Sequence, residues 1–240
     1  MLSLKNNLIS FVIPCYNETK RINFLLNSIL KFQIDKYKNY KLEFIIINDG
    51  STDDTEIKIK NHTIYKKFFF KLITYKVNKG KGFALMQGIY ASKYDWVITI
   101  DVDLSVTISE AIKRFNEYFE PNINIYFGSR NHFKSIVYKK QHRQLIGSIF
   151  NIIIQIVLGI KIKDTQCGFK IYQRNLINSL SQNIISYGYT FDLELAVLCS
   201  QNKIMIKEIP VNWVHKEGSK VNLFIDSFKM LIDIFKIRFR

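Results

Sequence analysis

Trp96-Val97-Ile98-Thr99-Ile100-Asp101-Val102-Asp103 is a short, β-branched apolar run that stops at two carboxylates. Too short for a helix, it predicts a buried strand over residues 96–100. Carboxylates at i and i+2 at a strand end project to one side. A pair so placed suits a hard divalent ion, which takes one or two carboxylates and completes its shell with phosphate oxygens. Acids also end strands merely as turn residues, so the pair gains weight only from what surrounds it.

The same design recurs upstream. Residues 8–14 read as a first strand, and Asn17 is placed to cap a helix over 18–32, where Ile22, Leu25, Leu26, Ile29 and Leu30 keep helical spacing. A second strand over 42–47 runs into Asn48-Asp49-Gly50-Ser51-Thr52-Asp53-Asp54, where Ser51 and Asp54 have the spacing of a capping box for a short helix. A third strand over 68–77 and a helix over 80–91 lead into the opening run. Strands alternating with helices at this spacing indicate an α/β sheet, mostly parallel. Such sheets bind ligands at the carboxyl ends of their strands, where these acids lie.

Downstream, the pattern predicts a helix over 108–118, a strand over 123–128 ending in Ser129-Arg130, and a loop over 131–138. Residues 144–162 are apolar but carry Gln144, Ser148, Asn151, Gln155 and Lys161, so they read as an interfacial or core helix rather than a span. A helix over 191–199 and a last strand over 204–213 follow. The division is a domain over 1–222 and an amphipathic helix over 223–240. In that helix Phe224, Phe228, Leu231 and Phe235 share one face, and Asp226, Lys229, Asp233, Lys236 and Arg240 another. Its charges forbid crossing a bilayer; it either packs on the domain or lies on a membrane surface.

With 240 residues, 48% hydrophobic and 14% aromatic, the chain can bury a sizeable core and is not a disordered polyelectrolyte. The net charge of +15 implies an anionic partner: nucleic acid, nucleotide phosphates or a lipid surface. Cys15, Cys167 and Cys199, odd in number and without metal-type spacing, read as core thiols in a reducing, cytosolic setting. Met1–Asn7 pass almost directly into the first strand, so neither a signal peptide nor an N-terminal anchor is expected.

Asp49, Asp101 and Asp103 at neighbouring strand ends would repel one another without a cation. With no His or Cys ligand beside them, Mg²⁺ or Mn²⁺ is favoured over zinc. Lys79-Gly80-Lys81-Gly82 opens a helix and offers N–H groups and ammonium charge to phosphate. Together these parts point to a metal-bound nucleotide diphosphate that becomes the leaving group.

Val12-Ile13-Pro14-Cys15-Tyr16-Asn17-Glu18, Asn48-Asp49-Gly50-Ser51-Thr52-Asp53 and Asp101-Val102-Asp103 resemble the signature of inverting family 2 glycosyltransferases with a GT-A fold. Four later blocks resemble the dolichyl-phosphate β-glucosyltransferase subgroup: Gly128-Ser129-Arg130, Asp164-Thr165-Gln166-Cys167-Gly168-Phe169-Lys170, Phe191-Asp192-Leu193-Glu194, and Pro210-Val211-Asn212-Trp213 with Glu217-Gly218-Ser219-Lys220. The resemblance implies a Rossmann-like, mostly parallel mixed sheet flanked by helices. It implies transfer of glucose from UDP-glucose to a polyprenyl phosphate with inversion at the anomeric carbon.

On that resemblance Asp101 and Asp103 hold the metal, Asp49 accepts from the base, and Pro14, Tyr16 and Glu18 shape the nucleoside pocket. Lys81 and Gln166 bind the nucleotide sugar. Arg130, with Lys140 and Arg143, clamps the acceptor phosphate, and Asp164 is the base or a sugar-orienting carboxylate. Two departures stand out. The subgroup usually carries an N-terminal anchor, and its residues after the second metal-pair Asp are usually small, where this chain has Leu104-Ser105.

A GDP-mannose-dependent polyprenyl-phosphate mannosyltransferase fits the shared blocks too, because uracil and guanine both present a ring N–H to Asp49. A hydrophilic acceptor is opposed by the amphipathic helices. A nucleic-acid-binding protein would explain the charge but not the strand-end aspartates, and no nucleic-acid-binding motif is present, so nucleic acid is not an expected partner. The expected placement is cytoplasmic, peripheral on the cytosolic face of a membrane. The oligomeric state is left open.

Overall fold

A computed structural model describes residues 7–35, 40–138, 157–216 and 223–239. The apolar runs become strands of one sheet: β1 (Leu8–Cys15), β2 (Lys41–Asp49), β3 (Phe70–Tyr75), β4 (Trp96–Thr99), β5 (Ile125–Ser129), β7 (Lys170–Gln173) and β8 (Ile206–Pro210). Their order is β3-β2-β1-β4-β7-β5-β8. β1 pairs in parallel with both β2 and β4, while β7 runs antiparallel to both β4 and β5. The sheet is therefore mixed and mostly parallel, as expected.

The pleat turns successive side chains to opposite faces. Along β1, Phe11 and Ile13 enter one core with Leu25 and Ile29 of α1 (Ile22–Asp35) and Ile112 and Phe115 of α4 (Ile108–Tyr118). Val12 enters the other core, with Leu85 and Ile89 of α3 (Lys81–Ala91), Ile177 of α5 (Arg174–Ser181) and Leu195 of α6 (Phe191–Gln201). A strand buried on both faces must be apolar almost throughout, which is why β1 and β2 were legible as continuous runs.

Several expectations are corrected. The stretch 204–213 is not one strand: β8 ends at Pro210, which has no N–H to extend the ladder. Asn212–Val214 forms β9, paired in parallel with β6 (Ile136–Tyr138) as a separate two-stranded sheet. β6 therefore lies inside the segment read as a loop. β7 and α5 were not foreseen.

Asn17 does not cap α1, which begins four residues after Glu18. It sits at φ 54°, and its side chain accepts the Thr52 N–H at 2.8 Å. The Ser51–Asp54 capping box is absent. Ser51 Oγ instead accepts the Asn17 N–H at 2.9 Å, and α2 (Thr55–Asn61) starts beyond both residues. The polar side chains thus staple the loop after β1 to the loop after β2.

Of the segment 144–162, only 157–162 is described, with Leu158 and Ile160 buried in the second core. α7 (Leu223–Arg238) packs on the domain through Met230, Ile234 and Ile237. Of the aromatic face read from the sequence, Leu231 packs half-buried against the same core and Phe235 is exposed, while the Phe224 and Phe228 side chains lie outside the described residues. No helix among the described residues is long and apolar enough to cross a membrane.

Candidate active site

The strand order reverses between β1 and β4, the switch point where an open α/β sheet leaves a crevice beyond its carboxyl ends. A cavity of about 510 Å³ lies there. Pro14, Tyr16 and Glu18 line it from the end of β1, and Asp49 from the end of β2. Asp101 and Asp103 enter just past β4, and Lys81 from the first turn of α3. The residues expected from widely separated motifs thus share one cavity.

Asp49 is almost fully buried, and its carboxylate is heavily used. Oδ1 accepts the Lys79 N–H at 2.8 Å, and Oδ2 accepts the Gly80 N–H at 3.0 Å and Asn78 Nδ2 at 2.9 Å. A carboxylate offers about four acceptor positions, so one remains. Asp49 thereby fixes the turn that delivers Lys81.

Asp101 and Asp103 do not extend β4; they stand in a turn closed by the Leu104 N–H on the Asp101 carbonyl at 3.1 Å. Leu104 sits at φ 53° with its side chain buried, an uncommon conformation for a bulky residue. Lys81 Nζ donates to Asp101 Oδ1 at 2.7 Å. Burial by itself would raise the Asp101 pKa, but Lys81, with Lys170 and Arg130 farther off, outweighs it and holds the carboxyl below its ordinary value. For Lys81 burial pulls downward and Asp101 more than reverses it, so the ammonium stays charged. Asp103 Oδ1 accepts the Ser105 N–H at 2.9 Å.

Among the described residues no three His, Cys, Asp or Glu side chains converge as a ready-made metal cluster. The two-carboxylate, all-oxygen set nevertheless fits a hard dication that takes its other ligands from phosphate and water. The protein already rests a cation on one of these carboxylates.

Arg130 and Asp164 lie outside the cavity lining, past the end of β5. Arg130 Nε and Nη2 donate to the two Asp164 oxygens at 2.7 and 2.8 Å, and its backbone N–H adds a third bond at 2.9 Å. The guanidinium lies 5.7 Å from the centre of the Trp213 ring. Asp164 is 0% exposed. Burial would raise its pKa, yet Arg130 prevails and keeps the carboxyl below its ordinary range. A base works best with a pKa near the working pH, so this geometry suits Asp164 to orienting Arg130 rather than to taking a proton.

Gln166 donates its backbone N–H to Asp164 Oδ1 at 3.2 Å, while its buried Nε2 has no partner among the described residues. Lys140 and Arg143 lie outside the described residues, as does the motif 217–220. All three cysteines are buried and free. Burial pushes the Cys167 thiol up to about 11 and Cys199 to about 12, and burial with nearby acids raises Cys15 further, so none is a ready nucleophile.

Sequence reading missed several residues at the cavity. Arg21 forms a two-bond pair with Glu18 at 2.6 and 2.5 Å. Asn78, next to the lysine–glycine motif, could have been suspected from adjacency. Gly188, Tyr189 and the α7 residues Lys229, Met230 and Asp233 also line it, and no local pattern announces a wall supplied from so far along the chain.

The mixed sheet with its crevice at the β1/β4 crossover defines a GT-A fold. The solved structures agree: glucosyl-3-phosphoglycerate synthase from Mycobacterium tuberculosis with UDP aligns at TM-score 0.68 and 21% identity, covering 98% of this chain and 82% of that one. Its complex with Mn²⁺, UDP-glucose and glycerol 3-phosphate aligns at 0.67 and 20%, covering 98% and 83%.

The sequence profile of Glycosyl transferase family 2 matches residues 10–181. The dolichyl-phosphate beta-glucosyltransferase of Dictyostelium discoideum is 33% identical over 99% of this chain and 76% of its own length. Those of Saccharomyces cerevisiae and Homo sapiens are 32% and 31% identical over 96% and 97% of this chain, and 74% and 75% of theirs. The chain belongs to glycosyl transferase family 2 and is a glycosyltransferase.

Proposed function

We propose that this glycosyltransferase moves glucose from UDP-glucose to the phosphate of a polyprenyl lipid of dolichyl type, with inversion, in the presence of Mg²⁺ or Mn²⁺. The observation that carries the reading is the acid pair Asp101/Asp103 beside Lys81 in a switch-point cavity, in a chain a third identical to dolichyl-phosphate beta-glucosyltransferases. UDP-glucose and Mn²⁺ are the donor and ion crystallised with a neighbour of the same fold.

Pro14, Tyr16 and Glu18 shape the nucleoside end of the cavity, and Asp49 uses its remaining acceptor position for a ring N–H of the base. Asp101 and Asp103 are the carboxylates that would hold the dication, whose charge stabilises the departing diphosphate. Lys81 turns from Asp101 to the phosphates, and Gln166 offers its unspent amide N–H to the sugar.

A phosphate monoester has its second pKa near ~6 and arrives at neutral pH mostly as a dianion, so the acceptor needs no base. Orientation becomes the main requirement. Asp164 locks the guanidinium plane of Arg130, leaving Nη1 to the acceptor phosphate, with Lys140 and Arg143 as further cations. Division of the chain at 222/223 is retained only as a functional boundary: α7 is the proposed membrane-facing element. Its exposed Ile232, Phe235 and Phe239 lie on the side opposite Met230, Ile234 and Ile237, and the net charge of +15 favours an anionic leaflet. The protein would then sit peripherally on a cytosolic membrane face, with no nucleic-acid partner.

Incubation with labelled UDP-glucose, GDP-mannose and other sugar nucleotides, polyprenyl phosphate and Mn²⁺ or Mg²⁺ tests the reading. Label from UDP-glucose should pass into the organic phase only when metal and lipid are both present. Transfer from GDP-mannose instead would replace the donor assignment, and product retained in water would overturn the lipid acceptor.

A further inference from the structure

We infer that Lys229 of α7 is a ligand of the donor diphosphate, so that the C-terminal helix completes the active site rather than merely covering the domain. The inference rests on the nucleotide-donor reading above and adds to it a residue that no motif contains.

The argument comes from the charges that line the cavity. Glu18 and Arg21 neutralise each other through two hydrogen bonds. Lys81 and Asp101 are paired at 2.7 Å. The Asp49 carboxylate is taken up by the Asn78–Gly80 turn. Asp233 accepts the Thr190 hydroxyl at 3.0 Å and stands 3.7 Å from Lys236. Besides Asp49, whose oxygens the turn occupies, two charges lining the cavity lack an ion pair among the described residues: Asp103 and Lys229. They have the opposite signs that a metal diphosphate requires, a carboxylate for the cation and an ammonium for phosphate oxygens.

The helix is also held where this role needs it. Met230, next to Lys229, lines the cavity and is buried, Ile234 and Ile237 anchor the following turns in the second core, and the Thr190–Asp233 bond ties α7 to the start of α6. Lys229 itself is exposed, so its ammonium is free to reach a ligand.

The chemistry gives this cation a particular use. As the bond between the anomeric carbon and the diphosphate oxygen breaks, its electron pair stays on that oxygen, and a lone pair of the acceptor phosphate forms the new bond to carbon. The diphosphate thereby gains one negative charge. A fixed ammonium beside it favours the charge-separated state over the intact donor. Lys229 should therefore matter more for free nucleoside diphosphate and for kcat than for KM of the sugar nucleotide.

The test is calorimetric titration of the full chain with UDP and with uridine in the presence of Mn²⁺, for wild type, Lys229→Gln, Lys229→Arg and Arg238→Gln. Arg238, exposed on the same helix and absent from the cavity lining, controls for loss of one charge. Lys229→Gln should weaken UDP by about tenfold or more, the range for a hydrogen bond to a charged group. Uridine affinity should not change, Lys229→Arg should stay within about threefold of wild type, and Arg238→Gln should match it. Equal UDP affinity in wild type and Lys229→Gln overturns the inference alone. Parallel loss of uridine binding overturns it too, since that marks a displaced helix. Failure of wild type to bind UDP overturns the donor reading and takes this inference with it.

Discussion

Gly168→Ala is the sharpest perturbation of the site, because one added carbon meets the Asp101 carboxylate that lines the cavity. A Cβ on Gly168 would lie 2.1 Å from Asp101 Oδ2, 2.4 Å from Cγ and 2.7 Å from Oδ1. Ordinary non-bonded contact needs about 3.5 Å, so something must retreat by more than about 1 Å. The loop cannot. Gly168 O accepts the Thr99 hydroxyl at 3.0 Å, and the neighbouring Cys167 carbonyl takes the buried Lys170 ammonium.

The Asp101 side chain is 39% exposed and can swing outward, which breaks its 2.7 Å bond to Lys81. Because the clash is relieved by a partly exposed side chain, the stability cost should sit at the low end of overpacking, about 1 kcal/mol. That corresponds to a fall in Tm of roughly 2–4 °C for a chain of this size. Catalysis should suffer far more, since a displacement of about 1 Å in a positioned group costs on the order of 10²-fold. Steady-state transfer assays beside a thermal melt separate the two effects. Turnover within about threefold of wild type, with Asp101 unmoved in a crystal structure, would refute the reasoning.

Asp103→Ala leaves the Asp101–Lys81 pair intact and should lower turnover by about 10²-fold or more, with nucleotide affinity no longer responding to added Mn²⁺ in a titration. Asp164→Asn leaves the Arg130 guanidinium without its counter-charge and should cost about 3–5 kcal/mol in denaturant unfolding. Burial opposes but Arg130 prevails in holding the folded Asp164 carboxyl below its unfolded value of about 3.9. Its contribution is therefore present above that value and lost as pH falls through the lower, folded one. Acid melts of wild type should steepen below about pH 4, and Asp164→Asn should flatten that limb. Replacing Phe235 and Phe239 with Ser should abolish sedimentation with anionic vesicles while leaving Tm within about 2 °C, because both rings are exposed and stack on each other rather than on the core.

The half of the fold that builds the switch-point cavity was legible because its strands are buried on both faces. Ile45, Ile46 and Ile47 are each 0% exposed, so that strand reads as an uninterrupted apolar run whichever face is considered. The acids stood out against it. β7 escaped for the opposite reason: its four residues include Lys170, a charge that any local reading assigns to a surface. α7 is legible as amphipathic, but its sequence offers two apolar stripes, one with Leu231 and Phe235 and one with Met230, Ile234 and Ile237, and does not say which meets the domain. Which stripe meets the domain depends on the apolar surface the second core leaves uncovered, and that is fixed only by the tertiary fold.

Lys170 lies between the Lys81–Asp101 and Arg130–Asp164 pairs and bears on both. A fully buried ammonium costs several kcal/mol unless it is paired and hydrogen-bonded. Here it bonds the Cys167 carbonyl, stands 3.2 Å from Asp192, and lies 4.7 Å from the centre of the Phe127 ring. Those partners offset the cost of burial, but they do not explain why a cation occupies the middle of the sheet. The charges around it do. Lys170 is among the cations that hold both Asp101 and Asp164 below their ordinary pKa values, and its bond to Cys167 fixes the loop between Asp164 and Gly168, the glycine that abuts Asp101. One ammonium thus adds to the pull of Lys81 on Asp101 and of Arg130 on Asp164, and holds the backbone that separates the two acids.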